Sequence, residues 1–226
     1  MERVDGRKTG VLDRALGDPR GTLALWIVLL LLCLAGYHGV RDNYPFNDDF
    51  SWMRAAREEM TPGNLLVYQV VSFFRPLVNL SFWSLERVSP GNAPLAATIN
   101  LLLHAACAIL VFHLLSRLLR DRTAAALAAI LFAVTTSHAA AVLWISARTS
   151  LLSTLFTLAA LIAALPGGRG PIARTILSSF FLALALAAKE TAVATLPLLL
   201  LVRLLPREKE EPPVDNRTIA AATCLV

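Results

Sequence analysis

The chain has 226 residues, of which 56% are hydrophobic and only 16% are charged, with a mean hydropathy of +0.61. Because roughly a quarter of the residues in a soluble domain are charged, this composition excludes that class and predicts an integral protein of the lipid bilayer. The net charge of +5 comes from arginines in short clusters between apolar runs, which excludes a nucleic-acid partner. The three cysteines lie inside apolar runs and indicate neither a disulfide framework nor a metal cluster.

The N-terminal part divides into a polar tail, an apolar run and a long polar loop. Residues 1–20 mix both signs of charge and are expected to form a cytoplasmic tail. The apolar run at 21–40 has about the 20 residues needed to cross a hydrocarbon core of roughly 30 Å. Acids precede it and no small-residue cleavage site ends it, which favours a membrane helix over a signal peptide. Residues 41–93 are then the first extracytoplasmic loop, and loops of this length are typically functional.

Two helices are predicted within this loop. Asn47 or Asp48 could cap a membrane-surface helix that extends to Met60, with the Arg54 and Glu58 side chains paired on its polar face. A second helix is predicted from residue 77 to about 88, because the preceding proline is well placed at the first helical position.

The remaining apolar runs predict five further membrane crossings. Spans are expected at about 94–116, 123–137 and 149–165. The run at 172–205 would be about 50 Å long as one helix at 1.5 Å per residue, so it must form two spans. This arrangement places every short arginine-rich loop on the cytoplasmic side, as topology rules require.

The C-terminal residues extend this topology. Residues 206–217 are charged and are expected to form a cytoplasmic loop, and residues 218–226 begin an apolar run that the chain ends before completing. The expected fold class is an all-α polytopic membrane protein, with residues 21–205 as one transmembrane module of six complete helices and with the start of a seventh after it. We expect the chain to be a fragment or the product of a prematurely ended reading frame.

Short motifs follow one another in a definite order along most of residues 44–205. They are Asp48-Asp49, Phe74-Arg75-Pro76-Leu77, Asn100-Leu101-Leu102-Leu103-His104, Leu131-Phe132-Ala133-Val134 with His138, Trp144-Ile145-Ser146-Ala147-Arg148, and Lys189-Glu190-Thr191-Ala192. This order resembles the C-type (GT-C) membrane glycosyltransferase superfamily, closest to the O-mannosyltransferase-like proteins often fused to tetratricopeptide repeats. The chain departs from that pattern at Thr135-Thr136 and Ala140, where a His-Pro pair and a Glu are usual.

The resemblance implies transfer of a sugar, with mannose as a candidate, from a polyprenyl-phosphate-linked donor to a protein or glycan hydroxyl on the extracytoplasmic face. In that family an acid of the first outer loop is the catalytic base, a role that Asp48 or Asp49 would fill by taking the acceptor proton. The second carboxylate could orient the first, or the pair could hold a divalent cation. A structural alternative is that these acids cap a helix, which stabilises it by roughly 1 kcal/mol.

Three cations are candidates for binding the donor phosphate. Arg75, Arg148 and Lys189 are expected on the same outer side, where a guanidinium can grip phosphate oxygens and offset their growing charge. The alternative for Arg75 is an anchor at the headgroup level. The alternative for Lys189 and Glu190 is a solvated hairpin with a weak surface pair.

Two histidines and Glu190 are predicted to support the site. His104 lies within the second span and is expected to hydrogen-bond to a neighbouring helix. His138 lies at an outer corner, which makes it the better candidate of the two for a place in the site, although helix termination explains it nearly as well.

Two other functions remain open. A transporter would also carry charges within its membrane helices, although the sequence lacks paired Gly or Pro breaks and an inverted repeat. A non-catalytic scaffold or fragment is favoured by the departures from the family pattern and by the abrupt end. The expected location is the bacterial inner membrane or the endoplasmic reticulum membrane, with the N-terminus cytoplasmic.

Overall fold

The computed structural model describes residues 10–168 and 170–204, except for the side chains of Arg41 and Arg203. The described residues form a helical bundle with one two-stranded hairpin, β1 (Gln69–Val70) and β2 (Phe73–Phe74). The helices are α1 (Val11–Ala15), α2 (Pro19–Gly36), α3 (Asp49–Arg54), α4 (Pro76–Val88), α5 (Ala93–Leu119), α6 (Arg122–Val134), α7 (Ala139–Leu143), α8 (Arg148–Ala164), α9 (Pro171–Ala188) and α10 (Thr195–Leu204).

Four helical segments are long and apolar enough to cross a membrane, namely Pro19–Gly36, Ala93–Leu119, Ile145–Ala164 and Pro171–Ala188. A fifth span results if Arg122–Val134 and Thr136–Leu143, which meet at an angle of 51°, are counted together. The chain therefore has the helices of a multi-pass membrane protein.

These helices account for part of the six complete spans expected from the sequence. The span predicted at 123–137 is a bent pair, because Thr135 adopts an extended conformation and ends α6 after 13 residues. The second half of the 172–205 run contains a short 3₁₀ turn and the described part of α10, which is ten residues long. The expected cytoplasmic loop at 206–217 and the seventh span at 218–226 lie outside the described residues.

Local sequence signals explain where the long helices begin. The Asn92 side chain accepts a hydrogen bond from Leu95 N at 2.9 Å, and the Asp121 side chain accepts one from Ala124 N at 2.9 Å. Each cap satisfies one of the amide groups that a helix N-terminus leaves unpaired. Asp18 caps α2 in the same way, so α2 begins at Pro19 within the region expected to be tail.

The polar loop at residues 41–93, which we call the polar interlude, contains both predicted helices and one unpredicted element. α4 begins at Pro76 as expected, and the predicted Arg54–Glu58 pair is present at 3.3 Å. The first helix is interrupted, because α3 passes into a π-helical turn, Ala55–Glu59, before Met60. The hairpin between the two helices had no clear strand signal in the sequence.

The bundle has two ends of different chemistry. We call one end the arginine end, because it carries Arg117, Arg122 and Arg174. There Arg122 N donates to Asp13 Oδ1 at 2.8 Å. Arg117 and Arg174 line one small cavity. At the opposite end, the carboxylate end, residues 48–49 contact the start of α8 and Arg75 pairs with Glu190. The grouping of the arginine-rich loops at one end agrees with the alternating course of the helices.

Candidate functional site

A short segment at the start of α8 organises the carboxylate end. Trp144 is extended, Ile145–Ala147 forms a 3₁₀ turn, and α8 follows from Arg148. Ser146 in this turn is buried and contacts both acids of the Asp48-Asp49 pair. Its backbone N–H donates to Asp49 Oδ1 at 2.6 Å, and its hydroxyl donates to Asp48 Oδ1 at 2.6 Å. The carboxylates are therefore fixed to an element nearly 100 residues away in the chain.

Asp49 is a structural connector. Only 1% of its surface is exposed, and Oδ2 accepts a further hydrogen bond from Phe46 N at 2.9 Å. This bond closes a tight turn through Asn47, whose φ of 52° lies in the left-handed region that asparagine tolerates better than most residues. Both carboxylate oxygens of Asp49 are thus engaged by backbone amides.

Asp48 differs from its neighbour in accessibility. Its side chain is half-buried, and within the described residues Oδ2 has no hydrogen-bond partner. Asp48 occupies the N-cap position of α3 without a side-chain capping bond, so the capping part of the structural alternative is wrong for this residue, whereas Asp49 does lie in the first turn of the helix. Asp48 therefore has one carboxylate oxygen that is free of hydrogen bonds to the described residues.

An apolar groove lies beside the turn that carries the acids. Asn43 Nδ2 donates to Leu143 O at 2.7 Å and so joins the interlude to α7. The groove has a volume of about 300 Å³. Its lining residues are Asn43, Tyr44, Phe46, Ala139, Ala140, Leu143 and Trp144. Small residues on α7 leave this space open, and aromatic residues form much of its wall.

Arg148 is locked inside the protein. Its guanidinium is fully buried and donates to Asn100 Oδ1 at 3.0 Å, to Ser81 Oγ at 3.2 Å and to Ala96 O at 2.8 Å. It also lies 4.5 Å from the centroid of the Phe82 ring. Because the protein occupies these donors, Arg148 does not reach a ligand in this conformation, contrary to the phosphate-binding role predicted for it. Its charge attracts Asp49 and so balances the buried carboxylate.

Arg75 and Glu190 form a two-pronged ion pair. Arg75 Nη2 lies 2.8 Å from Glu190 Oε1, and Nε donates to Oε2 at 3.2 Å. The hydrogen bond from Arg75 lowers the pKa of Glu190. The surface pair between Lys189 and Glu190, given as the alternative to a role in the site, is absent among the described residues, and Glu190 instead pairs with Arg75 at the start of α4. A phosphate would have to compete with Glu190 for Arg75.

No described carboxylate forms an ion pair with Lys189, so a phosphate would not have to displace one. Its ammonium donates to Ser150 Oγ at 2.8 Å. Ser150 lies in the first turn of α8, and Ser146 lies in the 3₁₀ turn that precedes this helix. Both contacts therefore lie at the same end of α8.

The two histidines support the helix junction rather than the acids. The His104 ring is buried, and its Nε2–H donates to Ala133 O at 3.2 Å, as the sequence predicted for a bond to a neighbouring helix. His138 Nδ1–H donates to Phe132 O at 3.1 Å, and the two imidazole centroids are 5.3 Å apart. Both rings therefore stabilise the bend between α6 and α7.

Ser146, Ser150 and Asn100 were assigned no role from the sequence. Asn100 carries a usable signal, because a polar side chain inside a long apolar helix usually faces a partner in the bundle. It accepts from Arg148 and donates to Trp144 O at 3.0 Å. The serines give no comparable signal, since their partners come from distant elements that local sequence does not specify.

The acids do not fit the divalent cation suggested for them. Both oxygens of Asp49 and one oxygen of Asp48 already accept protein hydrogen bonds, which leaves a single free carboxylate oxygen. A hard cation needs several oxygen ligands, and the part of the chain that the structure describes contains no cluster of three His, Cys, Asp or Glu residues.

Comparisons with protein-family models, curated proteins and solved structures find no match to this chain.

Proposed function

We propose that the chain is a membrane glycosyltransferase that moves a sugar from a polyprenyl-phosphate-linked donor to a protein or glycan hydroxyl. The observation that carries this proposal is that a half-buried carboxylate, Asp48, and an ammonium with no ion-pair partner among the described residues, Lys189, lie at the same end of a membrane bundle. Their serine partners are four residues apart at the start of α8. A base and a phosphate-binding cation at the same end of the bundle are what the reaction needs.

In this mechanism Asp48 Oδ2 is the general base. It accepts the proton of the acceptor hydroxyl as that oxygen bonds to the anomeric carbon of the sugar. The bond from the anomeric carbon to the phosphate oxygen breaks at the same time, and the electron pair leaves with the polyprenyl phosphate. Asp49 and Ser146 act as positioning residues, because they fix the Asp48 carboxylate without occupying its second oxygen.

Lys189 is the phosphate ligand in this proposal. A charge-assisted hydrogen bond from its ammonium offsets the negative charge that grows on the leaving phosphate. Arg75 can join only by releasing part of its contact with Glu190, and Arg148 acts by ordering the start of α8. The apolar groove beside Tyr44 and Trp144 suits the first isoprene units of a lipid donor.

The topology completes the proposal. Arginine-rich short loops favour the cytoplasmic side, so the arginine end and the N-terminus are cytoplasmic and the carboxylate end is extracytoplasmic. The reaction would then face the periplasm from the bacterial inner membrane or the lumen from the endoplasmic reticulum membrane. Mannose is the candidate sugar on the resemblance to O-mannosyltransferase-like proteins alone.

Reconstituted protein tests the reaction class. Vesicles that contain the purified chain should transfer radiolabelled mannose from polyprenyl phosphate mannose, and not from a nucleotide sugar, to added hydroxyl acceptors. Asp48→Asn should slow this transfer by roughly 100-fold to 10,000-fold, whereas the matched control Asp42→Asn, an exposed acid in the same interlude, should retain it. Equal transfer by both variants, or none by the wild-type chain with a range of lipid-linked sugars, would argue against the proposal.

A further inference from the structure

An uncharged, apolar segment interrupts the polar interlude. Residues 60–74 contain no Asp, Glu, Lys or Arg, although Glu58 and Glu59 precede them and Arg75 follows. Large apolar side chains on this segment are nevertheless exposed, namely Leu66, Val67, Val71, Phe73 and Phe74, with exposures between 42% and 68%. A cluster of this kind on a protein surface marks a contact with another apolar phase or molecule.

Hydrogen bonds fix the position of this segment. Asn79 Nδ2 of α4 donates to Leu65 O at 3.0 Å and to Tyr68 O at 2.8 Å. The Tyr68 hydroxyl bonds to Glu59, which raises the pKa of Tyr68. These contacts fix both the entry to the hairpin and its distance from the preceding π-helical turn. The exposed side chains are thus presented by an ordered element.

The tip of the hairpin has an unusual sequence for its geometry. The register pairs Val70 with Phe73, so Val71 and Ser72 form a two-residue turn, and their φ angles are 49° and 66°. Two-residue turns with both φ angles positive strongly favour Asn-Gly or similar pairs, and a β-branched residue is a poor fit. Strained positions of this kind cluster at functional surfaces. An exposed valine here gains nothing in water but would be favourable in lipid.

The ion pair between Arg75 and Glu190 sets the depth of this segment. Glu190 lies two residues beyond Ala188, the last residue of the membrane-crossing helix α9. The side chain of Arg75 contacts Glu190 and also lies 4.1 Å from the centroid of the Phe73 ring. Phe73 and Phe74 therefore lie where a span ends, which is the level at which aromatic side chains concentrate in membranes.

We propose that residues 65–74 form a lipid-contacting hairpin that rests in the interface of the bilayer. Apolar side chains are also exposed on α9 and on the turn that follows it, at Leu186 and Val193, on either side of Glu190 in the sequence. The absence of charge across the segment matches the hydrocarbon boundary, and Arg75 marks the headgroup level. This inference depends only on the membrane placement of the long helices, and it stands whether or not the protein transfers sugars.

Site-directed fluorescence in vesicles tests the proposal. A single cysteine replaces Val71 or Phe74 in a Cys224→Ser background, since the remaining cysteines, Cys33 and Cys107, are buried. Each variant is labelled with bimane and reconstituted into phosphatidylcholine vesicles. The control is Gly63→Cys, an exposed position in the same uncharged stretch but in the turn before the hairpin.

Bimane at residues 71 and 74 should emit at shorter wavelength than at residue 63. Lipids spin-labelled high on the acyl chain should quench it at least about twofold more strongly, because an interfacial element lies just below the headgroups. Iodide in the aqueous phase should quench bimane more strongly at residue 63 than at residues 71 and 74. If both hairpin labels are quenched by iodide as readily as the control and are untouched by the spin-labelled lipids, the hairpin faces water and the proposal fails.

Discussion

The two ends of the bundle use polar residues in different ways. At the arginine end, Asp121 caps its own helix and Arg122 bonds to the adjacent N-terminal segment through Asp13. At the carboxylate end, Asp49 and Arg148 are buried and bind partners from distant parts of the chain. Both ends join segments about 100 residues apart, but the contact at the arginine end is exposed to solvent, whereas the one at the carboxylate end is buried.

This difference separates a topological signal from a site. Exposed arginines near helix ends cost little and orient a membrane protein, so their removal one at a time should be tolerated. Buried charges are expensive to desolvate and persist only when each donor and acceptor is satisfied. The polar network around the start of α8 has this second character, and substitutions can measure how sharply the two ends differ.

The largest effect is expected at Arg148. Arg148→Met should lower the free energy of unfolding by about 3–5 kcal/mol, because Asn100 and Asp49 would lose their buried partner. The matched control is Arg117→Met at the arginine end, which is exposed and should cost less than about 1 kcal/mol. Chemical unfolding in detergent micelles measures both. Equal losses would erase the contrast between the ends.

The second-largest loss in the free energy of unfolding is expected for Asp49→Asn. An amide presents N–H groups on one side, so it sets a donor against the backbone N–H of either Phe46 or Ser146. Leaving one buried donor unsatisfied costs about 1–3 kcal/mol. Asp42→Asn, at an exposed position of the same interlude, should leave the unfolding midpoint unchanged. A midpoint for Asp49→Asn that matches this control would show that the carboxylate does not join the interlude to α8.

Lys189→Gln should weaken donor binding with little change in stability. The loss of one charge-assisted hydrogen bond is worth about 1.5–3 kcal/mol, or roughly 10-fold to 150-fold in affinity. Lys189→Arg keeps the charge and should retain most of the binding. Titration of the reconstituted protein with a fluorescent polyprenyl phosphate gives the affinities, and an unchanged affinity in Lys189→Gln would remove this residue from the phosphate site.

The smallest effect is expected at the Arg75–Glu190 pair, since the Glu190 side chain is 61% exposed. Arg75 lowers the pKa of Glu190 below its unfolded value of about 4.3, so the pair stabilises the fold above that pH. This contribution is lost as the pH falls through the lowered folded pKa. Glu190→Gln should therefore lower the free energy of unfolding at pH 7 by less than about 1 kcal/mol, and this difference should vanish once the pH is below the lowered pKa of Glu190. A difference that persists at acid pH would exclude the pair as its cause.

Much of the helical framework follows from local sequence. Apolar runs set the four long helices, and Asn92, Asp121 and Pro76 mark the starts of their helices as short-range rules predict. Short-range sequence rules do not predict the bend after α6. Its cause is a change of backbone conformation at Thr135 within an apolar stretch whose length alone suggests one span.

The site could be predicted only in part. The pairing of acids and cations at one end follows from charge spacing and topology, and the structure brings Asp48, Asp49, Arg75 and Lys189 to that end. Which acid is buried, and which cation is unpaired, depends on Ser146, Ser150 and Glu190, whose partners lie far away in the chain. Residue type alone does not encode such long-range contacts.

The most direct test compares transfer rate and thermal stability in Asp48→Asn and Asp49→Asn. We predict that Asp48→Asn loses roughly 100-fold to 10,000-fold of the rate, because an amide cannot act as a base, while its melting temperature stays near that of the wild type. Asp49→Asn should instead lower the melting temperature. Wild-type rates in Asp48→Asn with intact folding would contradict the account, since the free carboxylate oxygen would then have no part in the reaction.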